Sequence, residues 1–155
     1  MSAAGRTSMP RFSWSDIVGS SGRDFELARE RLLSWQMHRD AGVDVLDAPD
    51  AVSPGARARL RIRVLGVIRV DGPVEVTGVV DEPTRAGFTY RALPGHPERG
   101  EEEFLLERLD DGRIGFTVRG ESAPALWWSR LGGPITRRVQ RRVIDRYLAS
   151  LLPRA

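Results

Sequence analysis

Two spacings of hydrophobic residues divide this chain into helical and extended parts. Across residues 25–35, apolar side chains recur every three or four positions while charged side chains mostly fill the other side. This predicts one amphipathic helix of about three to four turns, ending near His38. Asp24, directly before the apolar spacing begins, is the predicted N-cap. Gly42 and residues 47–50 are predicted to form a connector.

From residue 57 onward the helical spacing gives way to strict alternation. Residues 57–64 alternate arginines with aliphatic side chains, which predicts a half-buried strand with its arginines in water. Gly66 interrupts this strand, residues 67–70 resume it, and Asp71–Pro73 is predicted to be a turn. Later strands are predicted from the alternation at Val74–Val80, Phe88–Tyr90, Glu102–Leu106 and Ile114–Val118. The short turns between them indicate an antiparallel meander of about six strands.

Helical spacing returns after the last strand. Pro124 is predicted to open a short helix through Leu126, Trp127 and Leu131. Gly132–Pro134 is predicted to end that helix and begin a long one, because proline suits a first helical turn. The long helix carries an apolar stripe made by Ile135, Val139, Val143, Tyr147 and Leu151. Its remaining surface is crowded by Arg137, Arg138, Arg141, Arg142 and Arg146. A sheet with one apolar face has to be covered, so this helix is predicted to pack across it and leave a cavity between them.

Composition narrows the chemistry that is available. The 155 residues suffice for about one domain, with residues 1–10 predicted to be a disordered leader and residues 11–152 a single domain. The chain has no cysteine and no lysine, which excludes disulfides, thiol nucleophiles and Schiff-base chemistry. Its two histidines are far apart in the sequence and give no recognisable ligand spacing, so neither a metal nor a cofactor is predicted.

Charge and hydropathy favour a soluble protein. A net charge of +3 is a mild imbalance, so nucleic acid is not a predicted partner. No apolar run approaches the length of a membrane span, and the N-terminus lacks the apolar core of a secretory signal. These features predict a cytoplasmic protein. The absence of lysine and asparagine is typical of a GC-rich bacterial genome.

The densest polar cluster lies between Gly87 and Phe104, where a strand, a proline–glycine turn, a histidine and three glutamates follow one another. Within it, Phe88-Thr-Tyr90 and Leu93-Pro-Gly-His-Pro-Glu-Arg-Gly-Glu-Glu102 resemble the hallmark of a family catalogued as domain of unknown function 1990, or UPF0548, found in bacteria and plants. Three other segments agree with the family pattern: Gly22–Trp35, Val80–Pro83 and Gly133–Pro134. The resemblance covers roughly residues 12–150.

The order of elements also resembles the helix-grip fold of START-like (SRPBCC) and Bet v 1-like proteins. The resemblance implies an α+β fold, in which a curved antiparallel sheet of about six strands packs on a long C-terminal helix. It implies no established activity. The chain departs from the family pattern at Arg91-Ala92, before the turn, and at Glu121–Pro124, before the final helix. Both departures lie near the predicted rim of the cavity, so ligand preference is expected to differ.

The predicted cavity supplies the candidate ligand-binding residues. Its lining is predicted to comprise Val76, Phe88, Tyr90, Phe104, Phe116 and Trp127. His96 and Glu102 are placed at its mouth, and the candidate partners of the carboxylate are Arg99, Arg108 and His96. Pro97 favours an extended conformation for His96, and an imidazole near a carboxylate is suited to acid–base work. Each residue also has a purely structural interpretation, as a turn histidine or as half of an ion pair.

Three functional hypotheses follow from these patterns. The preferred one is a module that binds a hydrophobic small molecule, such as a lipid, fatty acyl chain or isoprenoid-like compound. The second is an enzyme of the same fold that uses His96 and Glu102 as an acid–base pair on a hydrophobic substrate. The third is an adaptor that docks on a membrane surface or a protein through its arginine-rich C-terminal helix. Binding is favoured over catalysis, and the sequence assigns neither ligand identity nor oligomeric state.

Overall fold

Seven strands and three helices make up the part of the chain that the structure, a computed structural model, describes: residues 11–64, 68–96, 98–124 and 133–152. In chain order they are β1 (Arg11–Gly19), α1 (Gly22–Leu33), α2 (Gln36–Asp40), β2 (Asp44–Leu46), β3 (Arg57–Val64), β4 (Ile68–Glu82), β5 (Arg85–Ala92), β6 (Glu98–Arg108), β7 (Ile114–Pro124) and α3 (Gly133–Leu151). The predicted α+β class is confirmed, with a sheet bracketed by two short helices and one long helix.

All seven strands form one antiparallel sheet in the order β1-β7-β6-β5-β4-β3-β2. The prediction of about six strands is therefore slightly low, and the missed strands are those at the two edges. β1 pairs with β7, but most of its residues are exposed, so it lacks the alternation that reveals a half-buried strand. β2 has only three residues and lies in the predicted connector, where it pairs with β3.

The predicted turn at Asp71–Pro73 is wrong, because β4 runs straight through these residues. The chain reverses earlier, between Val64 and Ile68, which pair with each other. Asp71 is held in the strand by Arg61, whose guanidinium donates to its carboxylate at 2.7 Å. Pro73 lacks an N–H, but its carbonyl accepts a hydrogen bond from the Leu93 amide at 2.9 Å. These cross-strand contacts outweigh the local preference of Asp-Gly-Pro for a turn.

The predicted N-terminal helix is divided into α1 and α2. Its N-cap is Ser21 and not Asp24: the Ser21 hydroxyl accepts from the Asp24 amide, and the Asp24 carboxylate accepts from the Ser21 amide. α1 ends at Leu33 because Trp35 adopts a left-handed conformation, with φ 66°, which a continuous helix does not allow. α2 then covers five residues and contains His38.

The long C-terminal helix begins as predicted, with Pro134 in the first turn of α3. The predicted start of a shorter helix at Pro124 is wrong, since Pro124 is the last residue of β7. The remainder of that predicted helix, including Trp127, lies outside the described residues. α3 contacts α1, α2 and β1. Of its predicted apolar stripe, the described side chains are buried: Val143, Tyr147 and Leu151.

Glycines allow neighbouring strands of the curved sheet to approach closely. A Cβ atom on Gly87 would overlap the carbonyl oxygen of Phe104, and one on Gly120 would overlap that of Glu101. The inner face carries the buried side chains of the core, among them Ala58, Leu60, Val74, Val76, Ala86, Phe88, Phe104, Leu106, Phe116 and Val118. The outer face carries arginine–carboxylate pairs between neighbouring strands, such as Arg119–Glu103 at 2.8 Å.

Candidate functional site

The break between α1 and α2 turns two polar aromatic side chains, Trp35 and His38, into the protein interior. A left-handed backbone at a residue as bulky as tryptophan costs roughly 1–2 kcal/mol, so the surrounding packing has to hold it. The Trp35 carbonyl accepts from the Arg39 amide at 3.1 Å, and the His38 carbonyl accepts from the Val43 amide at 2.9 Å. Backbone hydrogen bonds thus anchor α2. Both side chains are completely buried, with 0% of their surface exposed.

His38 lies at the centre of a group of aromatic rings that come from four different elements. The distance from its ring centroid is 4.8 Å to Tyr147 of α3 and 5.0 Å to Phe104 of β6. Trp35 lies at 5.4 Å, and the two rings from β5 lie at 5.8 and 6.3 Å. We call these side chains the aromatic cluster: Trp35, His38, Phe88, Tyr90, Phe104 and Tyr147.

Three polar atoms inside the aromatic cluster have no hydrogen-bond partner among the residues that the structure describes. They are Nδ1 and Nε2 of His38 and Nε1 of Trp35. Leaving a buried donor or acceptor unsatisfied costs about 1–3 kcal/mol. Buried polar groups in folded proteins are almost always paired, so an exception in the middle of a core needs a specific explanation.

His38 is uncharged in the folded protein. Burial lowers the pKa of its imidazole from 6.5 to about 3, and the neighbouring positive charge of Arg39 adds to the effect. At neutral pH one ring nitrogen therefore carries a hydrogen and can donate, while the other can only accept. The interior thus contains both a free donor and a free acceptor on one ring.

One side of the aromatic cluster carries a carboxylate. Tyr90 pairs with Glu102 in the register of β5 and β6, and its hydroxyl donates to Glu102 Oε2 at 3.0 Å. Glu102 is half-buried. Burial, and then the charge of Glu102, raise the pKa of Tyr147 well above its ordinary value, so this phenol keeps its proton at physiological pH. The structure therefore brings Glu102 together with the rings of the core.

The other predicted site residues fall into two groups. Phe116 is buried and stacks on Phe104, with ring centroids 6.5 Å apart, so it extends the aromatic wall. His96 instead packs over Gly72 of β4, and Arg99 is exposed on β6. Gly72 lies four residues along β4 from Val76, which pairs with Tyr90, so roughly 13 Å of strand separates the two positions. An acid–base pair of His96 and Glu102 stays a prediction, and Trp127 lies outside the described residues.

A concave feature on the sheet is open to solvent. It is a groove of about 880 Å³ lined by Arg11, Phe12, Ser13, Thr89, Gly100, Glu101, Glu102, Glu103, Arg119, Gly120 and Glu121. Its arginines are already paired with its carboxylates: Arg11 Nε lies 2.7 Å from Glu121 Oε1, and Arg119 lies 2.8 Å from Glu103. These pairs stabilise the outer face of the sheet. The lining has four glutamates and two arginines, so the groove keeps a net negative charge.

Among the described residues, no three or more histidine, aspartate or glutamate side chains converge so that they could hold a metal ion. None of the described helices is long and apolar enough to cross a lipid bilayer.

Sequence reasoning missed His38 as a site residue, although a usable signal was present. His38 follows Leu32 and Trp35 at intervals of three residues, so a helical wheel places it on the apolar side. A lone histidine on such a face is usually a satisfied core residue. Only the structure shows that its ring nitrogens lack partners in the described core.

Comparison with known proteins identifies the family to which the chain belongs. The sequence pattern of the family described as "Domain of unknown function (DUF1990)" matches residues 7–150. The chain belongs to this family. A UPF0548 protein of Deinococcus radiodurans is 48% identical over 77 residues, which are 50% of this chain and 38% of that protein. The aligned part of this DUF1990 chain thus spans well under half the length of that relative.

Solved structures show the fold of this DUF1990 protein. The hypothetical protein jhp0584 of Helicobacter pylori superposes with a TM-score of 0.67 at 12% identity, covering 94% of this chain and 90% of that one. Major latex-like protein 151 of Panax ginseng gives a TM-score of 0.57 at 14% identity, covering 94% and 99%. The predicted helix-grip fold is confirmed. At such low identity, these likenesses establish the architecture alone.

Proposed function

We propose that this protein binds a hydrophobic small molecule between the inner face of its sheet and helix α3. One observation carries the proposal: the inner face presents a continuous aromatic surface to the helix that covers it. Phe88, Tyr90, Phe104 and Phe116 lie side by side on β5, β6 and β7, and Tyr147 of α3 meets Phe104 edge-on at 5.4 Å between centroids. Small-molecule sites are mostly apolar and aromatic surfaces with few polar groups.

The fold supports this proposal because the apolar inner face of the sheet is separate from the outer face, which carries the ion pairs. On β6, Phe104 is fully buried on the inner face, while its neighbour Glu103 is paired with Arg119 on the outer face. The described rings pack against one another, with neighbouring centroids 5.2 to 6.1 Å apart, so a ligand would lie against or among them. We expect ligand uptake to shift α3 relative to the sheet, because Tyr147 packs directly on Phe104.

The proposal can be tested with a neutral fluorescent probe, N-phenyl-1-naphthylamine, titrated into the purified full chain. We expect a saturable rise in fluorescence that an unlabelled hydrophobic competitor reverses. Phe104→Leu should weaken probe binding by about fivefold, because it removes aromatic contact area from the wall. Glu103→Gln, the adjacent residue on the opposite face, is the matched control and should leave the affinity unchanged. A linear, non-saturable titration, or an equal response of both variants, would contradict the proposal.

A further inference from the structure

We infer that the ligand is an uncharged hydrophobic molecule carrying a hydroxyl group, and that His38 forms a hydrogen bond with that hydroxyl. This inference rests on the proposed function and adds the polar group that the interior recognises. The other large side chains described around His38 are aromatic and contact it through their rings.

The unpartnered atoms determine the chemistry of the group that would satisfy them. Nδ1 and Nε2 of His38 and Nε1 of Trp35 lie within one pair of rings whose centroids are 5.4 Å apart. An indole nitrogen can only donate, whereas a neutral imidazole offers one donor and one acceptor. A hydroxyl can donate and accept at once, so it can pair with either nitrogen of His38 and also accept from Trp35. A carbonyl or an ether oxygen can only accept, and it leaves the acceptor nitrogen of His38 unsatisfied.

The electrostatic surroundings of His38 argue against an anionic ligand. The described rings that face it come from the residue before α2 and from β5, β6 and α3, and they are uncharged at neutral pH. They belong to Trp35, Phe88, Tyr90, Phe104 and Tyr147. Among the described charged residues, Arg39 acts on His38 and is exposed on the outside of α2, while Glu102, which accepts from Tyr90, is itself a carboxylate. A ligand carboxylate would have to lose its hydration among these rings, which is strongly unfavourable, while an alcohol loses far less.

The position of the imidazole also suits an anchor more than a catalyst. His38 is carried by a five-residue helix held at both ends by backbone hydrogen bonds, so its ring is placed by the fold before a ligand arrives. A polar anchor that is fixed in advance discriminates strongly, because a ligand lacking the matching group leaves the buried nitrogen unpaired.

Three probes with the same ten-carbon chain test the inference by competition against N-phenyl-1-naphthylamine: 1-decanol, decyl methyl ether and decanoate. We expect 1-decanol to bind about tenfold more tightly than the ether, and decanoate to bind most weakly. His38→Leu should remove the preference for 1-decanol over the ether, whereas Glu103→Gln should retain it. Failure of every probe to saturate the wild-type chain would overturn the proposed function itself.

Other outcomes distinguish a failure of the proposed role of His38 from a failure of hydrophobic ligand binding. Saturable binding with no preference for 1-decanol, or a preference that His38→Leu leaves intact, would overturn the role of His38 and leave hydrophobic binding standing. Tightest binding of decanoate would overturn the uncharged head group. If His38→Leu does not fold, nitrogen-15 NMR of histidine-labelled wild-type protein decides the question. Addition of 1-decanol should shift the ring nitrogens of His38, and an unchanged His38 signal at saturation would overturn the inference.

Discussion

At the scale of single residues, His38 determines how the core responds to protons. Its pKa is about 3 in the folded protein and 6.5 when exposed, because burial disfavours the charged imidazolium. Between these two values the unfolded chain takes up a proton that the folded chain does not. Protons therefore favour unfolding, and the stability contributed by neutral His38 is lost as the pH falls from about 7 towards 3.

This linkage predicts a specific loss of stability in mild acid. Between pH 6.5 and 4.5 the free energy of unfolding should fall by up to about 1.4 kcal/mol per pH unit because of His38. Carboxylates whose pKa values are lowered by arginine hydrogen bonds, such as Asp71, Glu75 and Asp81, begin to lose their contributions about one pH unit above their ordinary values of 3.8 to 4.5, so most of their loss falls below this window. Urea unfolding at a series of pH values measures the slope.

The matched comparison for this prediction uses His38→Leu. Its free energy of unfolding should depend much less on pH over the same range. Making both measurements in a His96→Gln background removes the other imidazole from the experiment. Equal slopes with and without His38 would mean that it is charged, or solvated, in the folded protein.

Removing the unpartnered imidazole should also change stability at neutral pH. His38→Leu deletes two buried nitrogen atoms without described partners and replaces them with apolar volume of similar size. We expect the free energy of unfolding of the ligand-free protein to rise by about 1–2 kcal/mol at pH 7.5, measured by urea titration. A loss of stability of similar size would show that His38 has a structural partner and is not held open for a ligand.

At the scale of secondary-structure elements, sheet curvature depends on glycines that let strands approach. Gly87→Ala would place a methyl group against the carbonyl oxygen of Phe104, so β5 and β6 would have to move apart. We expect it to lower the free energy of unfolding by about 2–3 kcal/mol. Gly78→Ala, in the neighbouring strand β4, meets nothing within 4 Å and should change stability by less than about 1 kcal/mol. Chemical denaturation of both variants provides the comparison, and equal effects would refute this account of the curvature.

Prediction from sequence succeeded for elements whose burial follows a regular period. Alternation identified the strands around Phe88, Phe104 and Phe116 because one face of each is buried. It missed β1, whose residues are mostly exposed, and it misplaced a turn at Asp71–Pro73, where contacts between strands overrode a local preference. The left-handed backbone at Trp35 is set by tertiary packing, so the apolar spacing alone did not reveal the break between the helices.

At the scale of the whole molecule, the candidate site exists only after folding. Its rings come from α2, β5, β6 and α3, which are far apart in sequence, and the missing hydrogen bonds of His38 cannot be read from a residue pattern. The order of elements indicated the helix-grip architecture, alternation identified the aromatic residues of the sheet, and only the structure identified His38. The position of His96 over Gly72 likewise depends on the folded structure, because the loop between β5 and β6 packs against β4.

The central claim is that the inner face of the helix-grip sheet holds a hydrophobic, uncharged ligand. Native mass spectrometry of the freshly purified full chain tests it most directly, with His38→Leu and Glu103→Gln purified in parallel. We predict a ligand-bound mass above that of the 155-residue chain in the wild type and Glu103→Gln, and a much smaller ligand-bound fraction in His38→Leu. Organic extraction should release a neutral alcohol. A single ligand-free mass for the wild type, unchanged after incubation with 1-decanol, would contradict the claim.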